Sequence, residues 1–179
     1  MIKTDRKYNI IYADPPWSYK VWGLKNAGNG NATKHYDVLH VEHIKALNVS
    51  DLAEKNCILF LWVTFPQLAE GLEVIKSWGF KYKTVAFTWV KRNKKSNSWF
   101  FGLGHYTRAN AEVCLLATKG TIERQSASVH QIIDTPIERH SKKPDVARDK
   151  IVELMGDLPR IELFARETAK GWDSWGKEL

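Results

Sequence analysis

The sequence predicts an α/β protein, a sheet with helices laid against it, and three observations carry that prediction. Residues 57–63, Cys-Ile-Leu-Phe-Leu-Trp-Val, form a continuous apolar run, the pattern of a strand buried on both faces of a parallel sheet. A helical signature follows at once. Pro66 suits a first turn, Leu68, Leu72 and Ile75 keep helical spacing, and Gly79 supplies a C-cap. Runs rich in β-branched and aromatic residues then recur at 84–90 and 112–118, bounded by turn residues such as Lys119-Gly120. With 179 residues, 44% of them hydrophobic, the chain is long enough for one domain, 1–179, built around such a sheet.

The first element is Ile10-Ile11-Tyr12-Ala13-Asp14-Pro15-Pro16-Trp17, a short β-branched run that ends in a carboxylate, two prolines and an aromatic. Residues just beyond the carboxyl ends of strands line the ligand crevice of an open α/β sheet, so Asp14 is expected to meet a ligand. Pro15 and Pro16 lack N–H donors and fix φ, which leaves rigid carbonyls as acceptors. Trp17 is open to two readings here, a core residue behind a strand-ending turn or a stacking surface. Residues 21–32, rich in Gly and Asn, read as a loop after this cluster. Their Gly28-Asn29-Gly30 lacks the Gly-Lys-Ser/Thr of a phosphate loop.

Val41, Ile44 and Leu47 predict a helix. His35, His40 and His43 near it have no carboxylate or thiolate at ligand spacing, so they are read as surface or capping residues and no metal is expected. Residues 129–133 predict a strand ending at Asp134-Thr135-Pro136. Pro144 opens a helix with an apolar stripe of Ala147, Ile151 and Leu154, closed by Gly156, and 160–166 predict a last strand before the tail.

The charge balance is basic, 27 Lys plus Arg against 20 Asp plus Glu, for +7 and a pI near 9.4, which points to an anionic partner. Residues 91–108 concentrate that charge: Lys91, Arg92, Lys94 and Lys95 precede Trp99 and Phe100, and Arg108 follows. Phosphate contacts interleaved with stacking rings are the means of binding nucleic acid. A solvated hairpin with Trp99 and Phe100 packed inward is the alternative. Cys57 and Cys114, each inside an apolar run, read as reduced core thiols. The amino terminus lacks the apolar core of a signal peptide and no run has the length of a membrane span, so a soluble cytoplasmic protein is expected.

Several motifs stand in a familiar order: Ala-Asp-Pro-Pro-Trp at 13–17, Leu-Phe-Leu-Trp-Val-Thr at 59–64, Thr-Trp-Val-Lys at 88–91, His-Ser-Lys-Lys-Pro-Asp at 140–145, and Ile-Glu-Leu-Phe-Ala-Arg at 161–166 with a later Gly-Trp-Asp. In this the chain resembles the MT-A70 family of S-adenosylmethionine-dependent N6-adenine methyltransferases, from Ile10 to Glu178. The resemblance implies a Rossmann-like sheet, mostly parallel with one antiparallel strand. It also implies a permuted order, in which the catalytic motif precedes the cofactor motifs and 91–108 is the target-recognition insertion.

The resemblance also assigns roles. Asp14 and the Pro15 carbonyl, in the Asp14-Pro15-Pro16-Trp17 motif, would hold the hydrogens of the adenine amine, with Trp17 and Tyr36 flanking the base. Lys143 would pair with the methionine carboxylate of S-adenosylmethionine, assisted by Ser141 and Lys142. Phe164 and Arg166, with Glu178 and its neighbour Lys177, would hold the nucleoside end of the cofactor. Lys177 departs from the family pattern, which commonly has Asn there. Likeness to short bacterial and phage members favours DNA over RNA as substrate and makes a homodimer a reasonable assembly. Two other readings are kept: an RNA adenine methyltransferase, and a weakly active nucleic-acid-binding subunit supporting a partner.

Overall fold

The computed structural model describes residues 4–18, 39–104, 106–139, 141–177 and 179. Tyr36 and Glu178 lie outside the described residues. The described residues form one seven-stranded sheet of β1 (Tyr8–Ala13), β2 (Ala53–Val63), β3 (Lys81–Arg92), β4 (Ala111–Lys119), β5 (Ile132–Pro136), β6 (Arg160–Leu163) and β7 (Asp173–Trp175). Its spatial order is β5-β3-β4-β2-β1-β6-β7. All neighbouring pairs are parallel except those made by β4, which runs antiparallel to β2 and to β3. The α/β class is the one the sequence predicts, and a mostly parallel sheet with one antiparallel strand is what the resemblance implies.

Alternation along the central strands feeds two cores. Ile11 and Ala13 of β1 and Cys57, Leu59, Leu61 and Val63 of β2 face one cluster; Ile10, Tyr12, Ile58, Phe60 and Trp62 face the other. Helices α1 (Val41–Lys45) and α2 (Leu68–Ser77) cover the first through Ile44, Val74 and Ile75, and Trp78, the residue after α2, joins them. Helix α3 (Val146–Met155) covers the second through Ala147, Ile151 and Met155. Both cysteines are buried and unpaired. His40 and His43 are exposed beside and on α1.

The structure corrects four details. The buried face of α2 carries Gly71, Val74 and Ile75, while Leu68 and Leu72 are exposed. Gly71 sets that phase, because a Cβ there would stand 2.5 Å from Cγ1 of Val63. Strand β5 begins at Ile132, three residues later than predicted, where it finds its partner in β3 from Thr88 onward. Strand β6 ends at Leu163 rather than at residue 166, because Phe164 turns into the left-handed region at φ 62°. The tail supplies β7, which had not been predicted. No helix among the described residues is long and apolar enough to cross a membrane.

Candidate active site

Asp14 is the first residue past β1, and its N–H still reaches the carbonyl of Leu163 at 3.4 Å, so its position is fixed by the sheet. The chain turns immediately afterwards. The Pro15 carbonyl accepts the N–H of Trp17 at 2.9 Å and the Pro16 carbonyl accepts that of Leu39 at 3.0 Å. A carbonyl has two lone pairs, so Pro15 is able to accept from a second donor as well.

The Asp14 carboxylate is not alone. Lys143 Nζ lies 2.9 Å from Oδ1 and 3.0 Å from Oδ2 of Asp14, and 3.2 Å from Oε2 of Glu112 on β4. Lys91 Nζ then holds Oε1 of Glu112 at 2.5 Å. Two carboxylates and two ammoniums thus alternate in a row, with side chains only 12–17% exposed. The Trp62 ring lies 5.8 Å from Lys143 Nζ, and its Nε1–H donates to Tyr12 Oη at 2.7 Å. Burial pushes the Asp14 carboxyl above its ordinary value, against the pull of Lys143. Burial also pushes Glu112 up, but Lys143 and Lys91 together outweigh it and hold this carboxyl below the ordinary value. For Lys143, burial disfavours the charge, and Asp14 and Glu112 more than restore it.

Beside Asp14 opens a cleft whose walls come from β1, from β6 and the residues after it, and from α3 and the segment leading into it. Asp14, Glu162 and Glu167 set negative charge along it, against Arg139, Lys142, Lys143, Arg148 and Arg166; Tyr12 and Phe164 add rings, and Ser141 a hydroxyl. Ser141 and Phe164, both lining it, have φ of 60° and 62°, backbone that costs on the order of 1–3 kcal/mol and collects at ligand sites. Arg148 grips the buried Glu162 with Nε at 2.7 Å and Nη2 at 3.1 Å, tying α3 to β6. Lys142 is bound by Asp145 at 2.7 Å, Glu138 at 2.8 Å and Glu167 at 3.4 Å. The tail closes on the same wall: the Ala165 N–H donates to the Trp175 carbonyl at 3.0 Å, and Gly176 lies so close to the Ala165 backbone that no side chain fits.

The family model described as MT-A70 matches residues 8–178. The chain belongs to the MT-A70 family. It is similar to the type II methyltransferase M.MunI of a Mycoplasma species, with 36% identity over 190 residues that cover 97% of this chain and 78% of that protein. It is also similar to an N(6)-adenosine-methyltransferase MT-A70-like protein of Arabidopsis thaliana, 28% identical, and to the human N(6)-adenosine-methyltransferase catalytic subunit METTL3, 27% identical. The matches cover 96% and 97% of this chain but only 24% and 28% of those two proteins.

MT-A70 methyltransferases take their methyl group from S-adenosylmethionine. The cleft fits that molecule by chemistry: a zwitterionic amino acid needs paired cations and anions, which Lys143 and Asp14 provide, and a nucleoside needs an apolar wall and polar groups, which Phe164 and Arg166 provide. Lys177 lies exposed beyond β7, after Gly176, and is not among the residues that line the cleft. The structure therefore brings Asp14, Ser141, Lys142, Lys143, Phe164 and Arg166 to one MT-A70 cleft.

Three residues expected to touch the substrate have partners within the chain. Trp17 is 6% exposed, belongs to the core and donates its Nε1–H to the Trp62 carbonyl at 3.0 Å, so it forms a wall rather than an open stacking face. Lys91 faces inward to Glu112 instead of outward to phosphate. Arg92 spends its fork on Asp134, at 2.6 Å to each oxygen, and on Asn97, and lies 4.2 Å from the centroid of Trp99. Arg92 is thus the wedge that holds Trp99 in place. Lys94, Lys95 and Arg108 are exposed on the surrounding arm; Trp99 is 43% exposed, and Phe101, Leu103 and Tyr106 are exposed after it. Glu112 is the residue that sequence reasoning missed. Its place inside an apolar strand was the signal, since a carboxylate there needs a buried partner.

Proposed function

We propose that this chain transfers a methyl group from S-adenosylmethionine to the exocyclic N6 of adenine in nucleic acid, with DNA the favoured substrate. The observation that carries the proposal is the Asp14 carboxylate, fixed at the end of β1 and bridged by Lys143 at the mouth of the charged cleft. Similarity to M.MunI, of which the chain covers 78%, supports DNA over RNA.

The lone pair of the adenine amine is delocalised into the ring, so the amine attacks only when its hydrogens are held. Asp14 accepts one hydrogen, and the remaining lone pair of the Pro15 carbonyl accepts the other. Nitrogen moves toward tetrahedral geometry and turns its lone pair to the methyl. S-adenosylmethionine supplies that methyl in electrophilic form, on a sulfonium. Lys143 and Asp14 orient its amino acid end, and Phe164 and Arg166 its nucleoside end. Such positioning contributes on the order of 7–11 kcal/mol, more than a strong base would add. The proton released goes to water or to Asp14.

A paired base cannot reach this crevice within a duplex, so the substrate is single-stranded or the base is flipped. The exposed Trp99, flanked by Lys94, Lys95 and Arg108, binds the strand beside the target base. So small an arm reads few base pairs, and the sequence preference is short or relaxed.

The test is labelled-methyl transfer to single-stranded DNA, duplex DNA and RNA, with nucleoside analysis of the product and Asp14→Ala as control. N6-methyladenine in DNA, lost in a folded Asp14→Ala, is the expected result. Wild-type turnover by Asp14→Ala overturns the mechanism, and product in RNA alone overturns the choice of substrate.

A further inference from the structure

We propose that Lys91 is a positioning residue for the transfer: by holding Oε1 of Glu112, it keeps Lys143 seated on Asp14 instead of on Glu112. The inference rests on the reading of Asp14 given above and concerns how that carboxylate is kept ready. Lys143 has two carboxylates within reach and sits nearer to Asp14, at 2.9 and 3.0 Å, than to Glu112, at 3.2 Å. The Glu112 Oε2 that faces Lys143 is buried and makes no well-aligned hydrogen bond, whereas Oε1 is taken by Lys91 at 2.5 Å. Glu112 therefore reaches Lys143 already balanced by its other partner.

Lys91 is built for this place. Trp89 of β3 stands opposite Glu112 of β4, and Lys91, two residues further along, is its diagonal neighbour on the same face. Its ammonium lies 4.9 Å from the centroid of the Trp89 ring, which holds the long side chain inward. Without this cation, one ammonium serves two buried carboxylates, and Lys143 moves toward Glu112 as Glu112 loses its second partner. Asp14 then keeps less of the positive charge that ionises it.

The groups that face Asp14 define the charge balance: Tyr12 from β1, Glu112 and Cys114 from β4, Lys143 ahead of α3, Glu162 from β6 and Arg166 beyond it. Tyr12 and Cys114 are kept neutral by burial. The remaining groups carry the signs that a change at Lys91 unbalances.

The experiment follows the Asp14 carboxyl by carbon-13 NMR titration in the protein without added donor, and the acid limb of the transfer profile in parallel. Lys91→Met is expected to move both upward by about one pH unit, a roughly tenfold loss of kcat on the limb. Glu112→Gln moves them downward, Lys91→Met/Glu112→Gln returns them to near wild type, and Lys91→Arg leaves them in place. An unmoved Asp14 midpoint in Lys91→Met, or shifts of the same sign in the two single variants, overturns the inference. If Lys91→Met does not fold, Glu112→Gln decides alone, since the absence of a downward shift refutes it. Asp14→Asn separates the two ideas: retained transfer by that variant defeats the mechanism, whereas abolished transfer with an unmoved titration in Lys91→Met defeats only the role of Lys91.

Discussion

Replacing Arg148 with Met tests whether the charged wall of the cleft is held by a buried pair. The guanidinium and Glu162 side chains are 15% and 9% exposed, and two charge-assisted bonds of 2.7 and 3.1 Å join them. Removing one partner of such a pair leaves an uncompensated buried charge and costs about 3–5 kcal/mol. An exposed pair such as Arg139–Glu167 is worth on the order of 0–1 kcal/mol. The loss depends on pH with a definite sign. Burial already places the Glu162 carboxyl above its ordinary value, and Arg148 is what pulls it back. In Arg148→Met it rises further, so the folded state keeps a proton that the unfolded chain has released. Stability then falls as pH rises from the ordinary carboxylate value through the raised one. Urea unfolding at pH 7 reads this as a midpoint lowered by about 1–2 M, shrinking towards zero near pH 4. The double variant Arg148→Met/Glu162→Gln should recover most of the loss at neutral pH. A loss independent of pH, or a double variant no more stable than the single one, refutes the reasoning.

Two more outcomes are open to measurement. Trp99→Ala should weaken single-stranded DNA binding by about 1–3 kcal/mol, the worth of one stacked base, and leave S-adenosylhomocysteine affinity unchanged in calorimetry; Arg92→Ala should do the same by releasing the ring, and full binding by both would remove Trp99 from the interface. Gly176→Ala should raise the dissociation constant for S-adenosylhomocysteine about tenfold or more, because its Cβ would meet the Ala165 backbone and push the tail off the nucleoside wall; unchanged affinity would separate that wall from the donor.

Much of this was readable from residue order, for physical reasons. The apolar run of β2 announces a strand covered on both faces, and a carboxylate followed by two prolines must leave the sheet where Asp14 does. Lys143, Phe164 and Arg166 line the same cleft as Asp14, but it was the resemblance to the family, not residue order alone, that singled them out. What was not readable depends on partners distant in sequence. The phase of α2 follows the close approach of Gly71 to Val63, which no pattern of leucines reveals. Strand β7 is three residues long and exists because β6 offers it an edge. Lys91 and Arg92 have the composition of a phosphate-binding run, yet Glu112 and Asp134, on neighbouring strands, claim them first. Trp17 was open to two readings because a core indole and a stacking indole have the same local sequence, and only the Trp62 carbonyl distinguishes them.

The reversed direction of β4 has a consequence for how such a protein changes over time. Because β3 leaves the sheet and β4 enters it at the end where Asp14 lies, the arm between Arg92 and Ala111 is joined to the sheet through Lys91 and Glu112, which stay paired within it. Residues can be added to or exchanged within that arm without shifting a single strand pairing. On the function proposed, the fold separates the part that would perform the transfer from the part that would contact the strand, and leaves the second free to diversify.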